Sequence, residues 1–264
     1  MVASPHALAS EAGVAILRAG GSAVDAAIAA AAVLSVVYPH MTSLGGDAFW
    51  LIHDGRTGAV RSLEAAGRAA AGATLDWFAG RGLREIPVRG IVPATLTVPG
   101  AVDGWCEAHA RHGRLPLADD LAAAVGYARD GFPITRRLSE WIERSAPVLA
   151  ADPPAARIFL AEGPRPAVGR RLVNPDLART LERLGAGRAG FYEGEVARHL
   201  AKLGGFFTGR DLAAQGAYWG EPISGTYRDL TIYETPAPTQ GFTVLQMLGL
   251  LEPFELHRRE FADP

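Results

Sequence analysis

The residues in this sequence that could do chemistry are few and scattered. Leu44-Gly45-Gly46-Asp47 sets a glycine pair between a helical pattern and an extended one. Such a pair lets backbone approach a substrate or a reactive group, and it serves equally as a tight turn needing positive φ. It lacks the further glycines and the lysine of a phosphate-binding loop, so it does not point to nucleotides. Among seven histidines, His109 and His112 stand three apart, which puts two ligands on one helix face. No third ligand follows at a recognised spacing, and Arg111 and Arg114 beside them mark a solvated face, so no metal is assigned. No Gly-x-Ser-x-Gly nucleophile elbow occurs. The single cysteine, Cys106, follows Trp105 in a helical pattern and reads as a buried structural thiol. Asp119-Asp120 opens a helix, where carboxylates complement the helix dipole. The residues alone supply no complete catalytic set, no metal site and no cofactor site.

The elements that must position these residues are easier to read. Ser4-Pro5 predicts a cap and first turn, followed by apolar Leu8, Ala12, Ala15 and Ile16 at helical spacing and a stop at Gly20-Gly21. Ser22 caps an alanine-rich helix over Ala23 to Val37, apolar nearly all round and therefore expected between other layers. Ala48 to His53 and Ala59 to Leu63 predict a hairpin turning at Asp54-Gly55. Helices are predicted over Val102 to His112, Leu117 to Arg129, Thr135 to Leu149, Pro175 to Leu184 and Glu193 to Leu203. Ala150 to Gly169, rich in proline, reads as surface loop. Thr208 caps a short helix. A second hairpin is expected over Ala217 to Tyr233 around Ser224-Gly225, and a last helix over Thr243 to Leu251. Hairpins with helices gathered before and after them indicate an α+β fold rather than alternating βαβ units. No internal repeat or long linker divides the chain, so residues 1–264 read as a single unit.

Composition narrows the partners. With 26 basic and 28 acidic residues well mixed along 264, no basic stripe exists to bind nucleic acid. The most apolar stretch, Ala23 to Val37, is too short at ~1.5 Å per residue to cross roughly 30 Å of hydrocarbon. The opening lacks the basic start of a secretory signal, and one cysteine reads the same in cytosol and periplasm, so compartment is not assigned.

Several segments together resemble the large subunit of the γ-glutamyltransferase family. They include Gly20-Gly21-Ser22-Ala23-Val24-Asp25-Ala26-Ala27, Leu44-Gly45-Gly46-Asp47-Ala48-Phe49 and Val98-Pro99-Gly100-Ala101-Val102-Asp103-Gly104-Trp105. Ala128-Arg129-Asp130-Gly131-Phe132, Gly190-Phe191-Tyr192-Glu193-Gly194, Gly204-Gly205-Phe206-Phe207-Thr208 and Pro236-Ala237-Pro238-Thr239-Gln240-Gly241 continue the order. The resemblance implies an αββα sandwich of the N-terminal-nucleophile hydrolase type, made as a proenzyme that cuts itself into two subunits. The new N-terminal threonine of the small subunit is then the nucleophile and its α-amine the base. It attacks a γ-glutamyl or related small-molecule amide, and water or an amine takes the acyl group.

Two departures from the family pattern bear on function. The chain has no Thr-Thr pair of the kind that opens the small subunit, and it ends at Pro264, where the family's large subunit continues. No catalytic residue is therefore expected in this chain, and the partner is expected to be a small subunit from the same precursor. Secondly, γ-glutamyl enzymes carry an adjacent Arg-Glu after the first hairpin, whose arginine forks onto the donor's α-carboxylate. Alignment on Ala71-Gly72-Ala73-Thr74 puts Ala66-Gly67 there. Arg68 is the nearest cation and the candidate substrate-binding residue; its alternative role is a pair with Glu64 or a place on the surface. The segment resembles relatives acting on other acyl groups, such as oxamate amidohydrolases and cephalosporin acylases. A relative that has lost catalysis and serves as a binding subunit is the non-enzymatic alternative.

Overall fold

The computed structural model describes residues 1–86, 96–203 and 208–255. Gly204 to Phe207, part of one resemblance segment, lie outside the described residues. Two helices open the chain, α1 (Ala7–Arg18) and α2 (Ala23–Val37). The cap of α1 is not Ser4 but His6, whose Nδ1 accepts from the Leu8 N–H at 3.2 Å, while the Ser4 hydroxyl donates to the His6 carbonyl. The two-residue shift arises because the imidazole reaches the Leu8 N–H while the Ser4 hydroxyl is engaged with the His6 carbonyl and Ser10. On α2 the expected cap is present as a reciprocal box: Ser22 Oγ accepts from Asp25 N–H at 3.1 Å, and Asp25 Oδ2 accepts from Ser22 N–H at 2.7 Å. A Cβ on Gly13 would lie 2.9 Å from the Ala26 carbonyl, so α1 and α2 touch through backbone. Ile28, Ala29, Ala32, Val33 and Val37 are completely buried, which places α2 inside the helical layer as its composition required.

Strands β1 (Ala48–His53) and β2 (Val60–Ala65) pair antiparallel from Ala48 opposite Ala65 to His53 opposite Val60. Their turn is closed by the Asp54 N–H on the Ala59 carbonyl, and its positive φ of 71° sits at Gly58 rather than at Asp54-Gly55. Next come α3 (Leu75–Ala79), α4 (Ala101–His112) and α5 (Leu117–Asp130), then α6 (Arg136–Ala150). The proline-rich stretch expected as loop contains a further helix, α7 (Pro153–Phe159). Asp152 caps it and prolines fill its first positions, where the missing N–H costs nothing. Helices α8 (Pro175–Leu184), α9 (Ala189–Tyr192), α10 (Gly194–Leu203) and α11 (Gly209–Ala213) follow, the last under a capping box from Thr208.

The expected second hairpin divides. Strand β3 (Tyr218–Gly220) joins β2, so the first sheet runs β1-β2-β3. The actual hairpin is β4 (Ile223–Tyr227) with β5 (Leu230–Glu234), turning at Arg228-Asp229 with Arg228 at φ 55°. Ser224-Gly225 lie within β4, where the glycine lies against Leu245 of the last helix, α12 (Gly241–Leu251). A short ladder also pairs Phe132–Pro133 with Arg171–Leu172.

The fold is α+β. The first sheet packs one face on α4, which in turn lies against α2, and α2 and α8 both pack on α5. Trp50, Leu63 and Ala65 point into this layer. The opposite face carries Phe49, Leu51 and Tyr218, which are 41%, 41% and 69% exposed. No helix among the described residues is long and apolar enough to cross a membrane.

Candidate functional site

Three backbone segments meet at the end of β2. Gly46 offers its carbonyl to the N–H groups of Gly100 (3.0 Å) and Ala101 (2.8 Å), which satisfies the start of α4 where Gly100 has no side chain to cap it. Asp47 Oδ1 accepts from the Gly67 N–H at 2.7 Å. The Val98 N–H donates to the Arg68 carbonyl at 2.8 Å. The approach is so close that a Cβ on Gly67 would stand 1.7 Å from the Val98 carbonyl, and one on Gly100 2.2 Å from the Ala65 carbonyl. These glycines are required by space. The glycine pair singled out in the sequence is different: neither Gly45 nor Gly46 has positive φ, and a Cβ there would meet only Ser43 at ordinary distance. The turn therefore did not demand them.

Beneath this junction lies a buried polar network. Asp103, 1% exposed on the first turn of α4, accepts from Arg188 Nε and from the Ala217 N–H, both at 2.5 Å. The Arg188 guanidinium also donates to the Gln215 carbonyl and lies 4.5 Å from the Tyr192 ring centre. Tyr192 Oη donates to the Pro99 carbonyl at 2.7 Å and accepts from the Asp103 N–H. Burial pushes its phenol well above the usual tyrosine range, so it stays protonated and acts as a strut. Gln215 Nε2 reaches the Ala66 carbonyl at 3.3 Å. Thus residues 66–68, 98–100 and 215–217 are fixed relative to one another by Asp47, Asp103, Arg188 and Gln215. Sequence reading gave no role to Asp103, Arg188 or Gln215 and named Asp47 only as part of its glycine motif, because each partner lies far along the chain.

Arg68 sits on this fixed strip with its backbone anchored and its side chain exposed. Among the described residues it makes no ion pair, with Glu64 or with any other acid. The histidines do not assemble: His109 turns inward, while His112 stacks edge-on near Trp219 at 5.7 Å. Cys106 is held as a thiol, pushed up to about 12 by burial and, further, by Asp103 and Glu107 against the opposing pull of Arg188. It is no nucleophile at neutral pH. Asp119-Asp120 is only half a solvated pair. Asp119 is exposed, but Asp120 is fully buried, and burial followed by the charge of Asp25 pushes its carboxyl up to about 7, with His109 opposing. The helical phase turns Asp120 toward α2 and α4, which residue type could not reveal.

The described residues hold no activated nucleophile; what they offer is a rigid strip ending in an unpaired cation, beside an open sheet face. A family model described as gamma-glutamyltranspeptidase matches residues 9–264. The chain is 43% identical over 265 residues to a glutathione hydrolase-like YwrD proenzyme of Bacillus subtilis, covering 98% of this chain and 50% of that protein. It is 40% identical over 266 residues to the oxamate amidohydrolase proenzyme of Klebsiella pneumoniae, covering 97% and 50%. Among solved structures, Helicobacter pylori gamma-glutamyltranspeptidase superposes with a TM-score of 0.92 at 29% identity, covering 100% of this chain and 77% of the other. The chain spans about half the length of the curated relatives it matches.

Proposed function

We propose that this chain, which belongs to the gamma-glutamyltranspeptidase family, supplies the large-subunit share of an amidohydrolase or acyltransferase working through an acyl-enzyme. The nucleophile is an N-terminal threonine on a small subunit cut from the same precursor. Its Oγ attacks the amide carbonyl while its own α-amine takes the proton, the amine leaves, and water or an acceptor amine receives the acyl group. The large-subunit strip orients the substrate's free carboxylate, and Arg68 is the cation that pairs with it.

The observation carrying this reading is the junction at Gly67. Its Cβ would collide with the Val98 carbonyl, so no side chain fits where γ-glutamyl enzymes place the second residue of their Arg-Glu pair. The next residue, Arg68, keeps its guanidinium unpaired among the described residues. That favours a small carboxylate-bearing amide over a γ-glutamyl donor, and the likeness to an oxamate amidohydrolase supports the same preference. A γ-glutamyl donor, as in the glutathione hydrolase-like relative, is the second reading.

The test is made on the complete, processed protein. Mass spectrometry is expected to find two chains. Arg68→Ala is expected to lower kcat/KM by about 1.5–3 kcal/mol, the range for hydrogen bonds to charged groups, with self-cleavage intact. Arg68→Lys recovers part of the loss, because an ammonium cannot fork. Unchanged kinetics in Arg68→Ala removes Arg68 from the site. Efficient γ-glutamyl transfer with no turnover of oxamate overturns the substrate preference.

A further inference from the structure

Where α2, α4 and α5 meet, away from the strip just described, three ionisable side chains are enclosed together. Asp25 and Asp120 are fully buried, and the His109 side chain is 22% exposed. One oxygen of each carboxylate and His109 Nε2 all lie within 4.8 Å of one another. From these contacts we propose that Asp25, His109 and Asp120 form a binding site for one divalent cation of the manganese–zinc class.

The hydrogen bonding leaves the site unbalanced in a specific way. Asp25 Oδ2 is saturated by the N–H groups of Ser22 (2.7 Å), Arg114 (2.9 Å) and Leu115 (3.3 Å). Those bonds fix the carboxylate plane and aim Oδ1 inward, where it accepts no hydrogen bond. Neither oxygen of Asp120 accepts one either. His109 Nε2 stands 3.7 Å from Asp120 Oδ2 and 4.0 Å from Asp25 Oδ1, too far to bond either, and donates its hydrogen to the Leu115 carbonyl at 2.8 Å. A carboxylate oxygen buried without a partner is costly. One added proton could satisfy at most two of three such oxygens, as donor and acceptor of a single bond, and the imidazole's own proton is already committed to Leu115.

A cation at the centre would be met by one oxygen of each carboxylate and by His109 Nε2. Ligand atoms about 2.0–2.2 Å from a metal lie roughly 3–4.4 Å apart, so the observed separations need only a small contraction. Two carboxylates and one imidazole suit manganese or zinc better than calcium, which takes oxygen almost exclusively. On binding, Nε2 gives up its hydrogen bond to Leu115, and its proton is exchanged through solvent for one on Nδ1, so the ring stays neutral. The ion would tie together three helices of the core, and the site is independent of the acyl-transfer reading.

The experiment uses the full protein, freed of metal by chelator and dialysis, titrated separately with manganese(II), zinc(II) and calcium(II) chloride while heat and melting temperature are followed. Uptake of one equivalent of manganese or zinc with a raised melting temperature is the expected result. Asp120→Asn keeps the volume and removes the charge, and His109→Gln removes the imidazole; each is expected to weaken binding by about tenfold or more. If Asp120→Asn fails to fold, Asp120→Leu, which fills the space with apolar volume, must fold and take up no metal. Absence of one-site binding by any of the three ions overturns the proposal, as does unchanged affinity in Asp120→Asn. Uptake of calcium alone, indifferent to His109→Gln, overturns the imidazole-bearing site.

Discussion

Two helices of this chain are almost equally apolar and end in opposite surroundings. Helix α2 buries eleven of its residues, and Ile28, Val33 and Val37 have no exposure at all. Helix α12 buries only Gly241; Phe242, Val244, Met247 and Leu250 are 40–74% exposed. The outer face of the first sheet resembles α12, with Phe49, Leu51 and Tyr218 uncovered. Apolar sequence therefore says that a segment wants a partner and does not say which chain supplies it. For α2 the partners are α1, α4 and α5; for α12, within the described residues, only the β4–β5 hairpin packs closely.

If the contrast is one of burial, substitutions should separate the two regions sharply. Ile28→Ala in α2 should cost about 2–5 kcal/mol of unfolding free energy, read from denaturant melts, because the tightly packed layer cannot close the cavity. A loss under 1 kcal/mol would mean that α2 is loosely held. Gly67→Ala comes next, at about 1–3 kcal/mol or more, since a Cβ cannot coexist with the Val98 carbonyl. Activity should fall with stability there, and a fully stable Gly67→Ala would show that the strip can shift.

Cys106 probes the buried side by pH. Its thiol is raised above the unfolded value, so the folded state holds a proton between about pH 9 and 12 that the unfolded state has lost. Its contribution is fully present below about pH 9 and lost as pH rises toward 12, which lowers stability over that window. Cys106→Ala should flatten the fall, and iodoacetamide at pH 8 should label the thiol only after unfolding; rapid labelling of the native protein would contradict the burial. The smallest effect belongs to the open side. Leu250→Ser should change the stability of this chain by less than about 0.5 kcal/mol, as exposed positions do. A large loss would mean that α12 is already packed.

Much of the scaffold was legible because its signals are local. The Ser22–Asp25 box, the alternation of β1 and β2, the helix over Pro175–Leu184 and the Thr208 cap each depend on residues within a few positions of one another. The first helix's cap, the helix in the proline-rich stretch and the true second hairpin were misread where two local cues competed. Ser224-Gly225 has turn chemistry, yet both residues pair within β4, opposite Tyr233 and Ile232, and the chain turns at Arg228-Asp229. The candidate site was half legible. Arg68 was singled out through the family alignment, as the cation nearest Ala66-Gly67, whereas Asp47, Gln215 and Arg188 act on partners 20 to 149 residues away.

The sequence by itself determined where most of the longer helices and the first hairpin form, that the chain resembles its family and, on the family alignment, that Ala66-Gly67 falls where an Arg-Glu pair is expected. Only the tertiary structure decided that Gly67 has no room for a side chain, that Asp120 is buried while Asp119 is not, and that Asp25 reaches beyond its own cap to Arg114 and Leu115. The reason is physical. Caps, turns and periodicity are set by neighbours along the chain, but the cost of a Cβ or of an unpaired charge is set by whatever the fold brings against it.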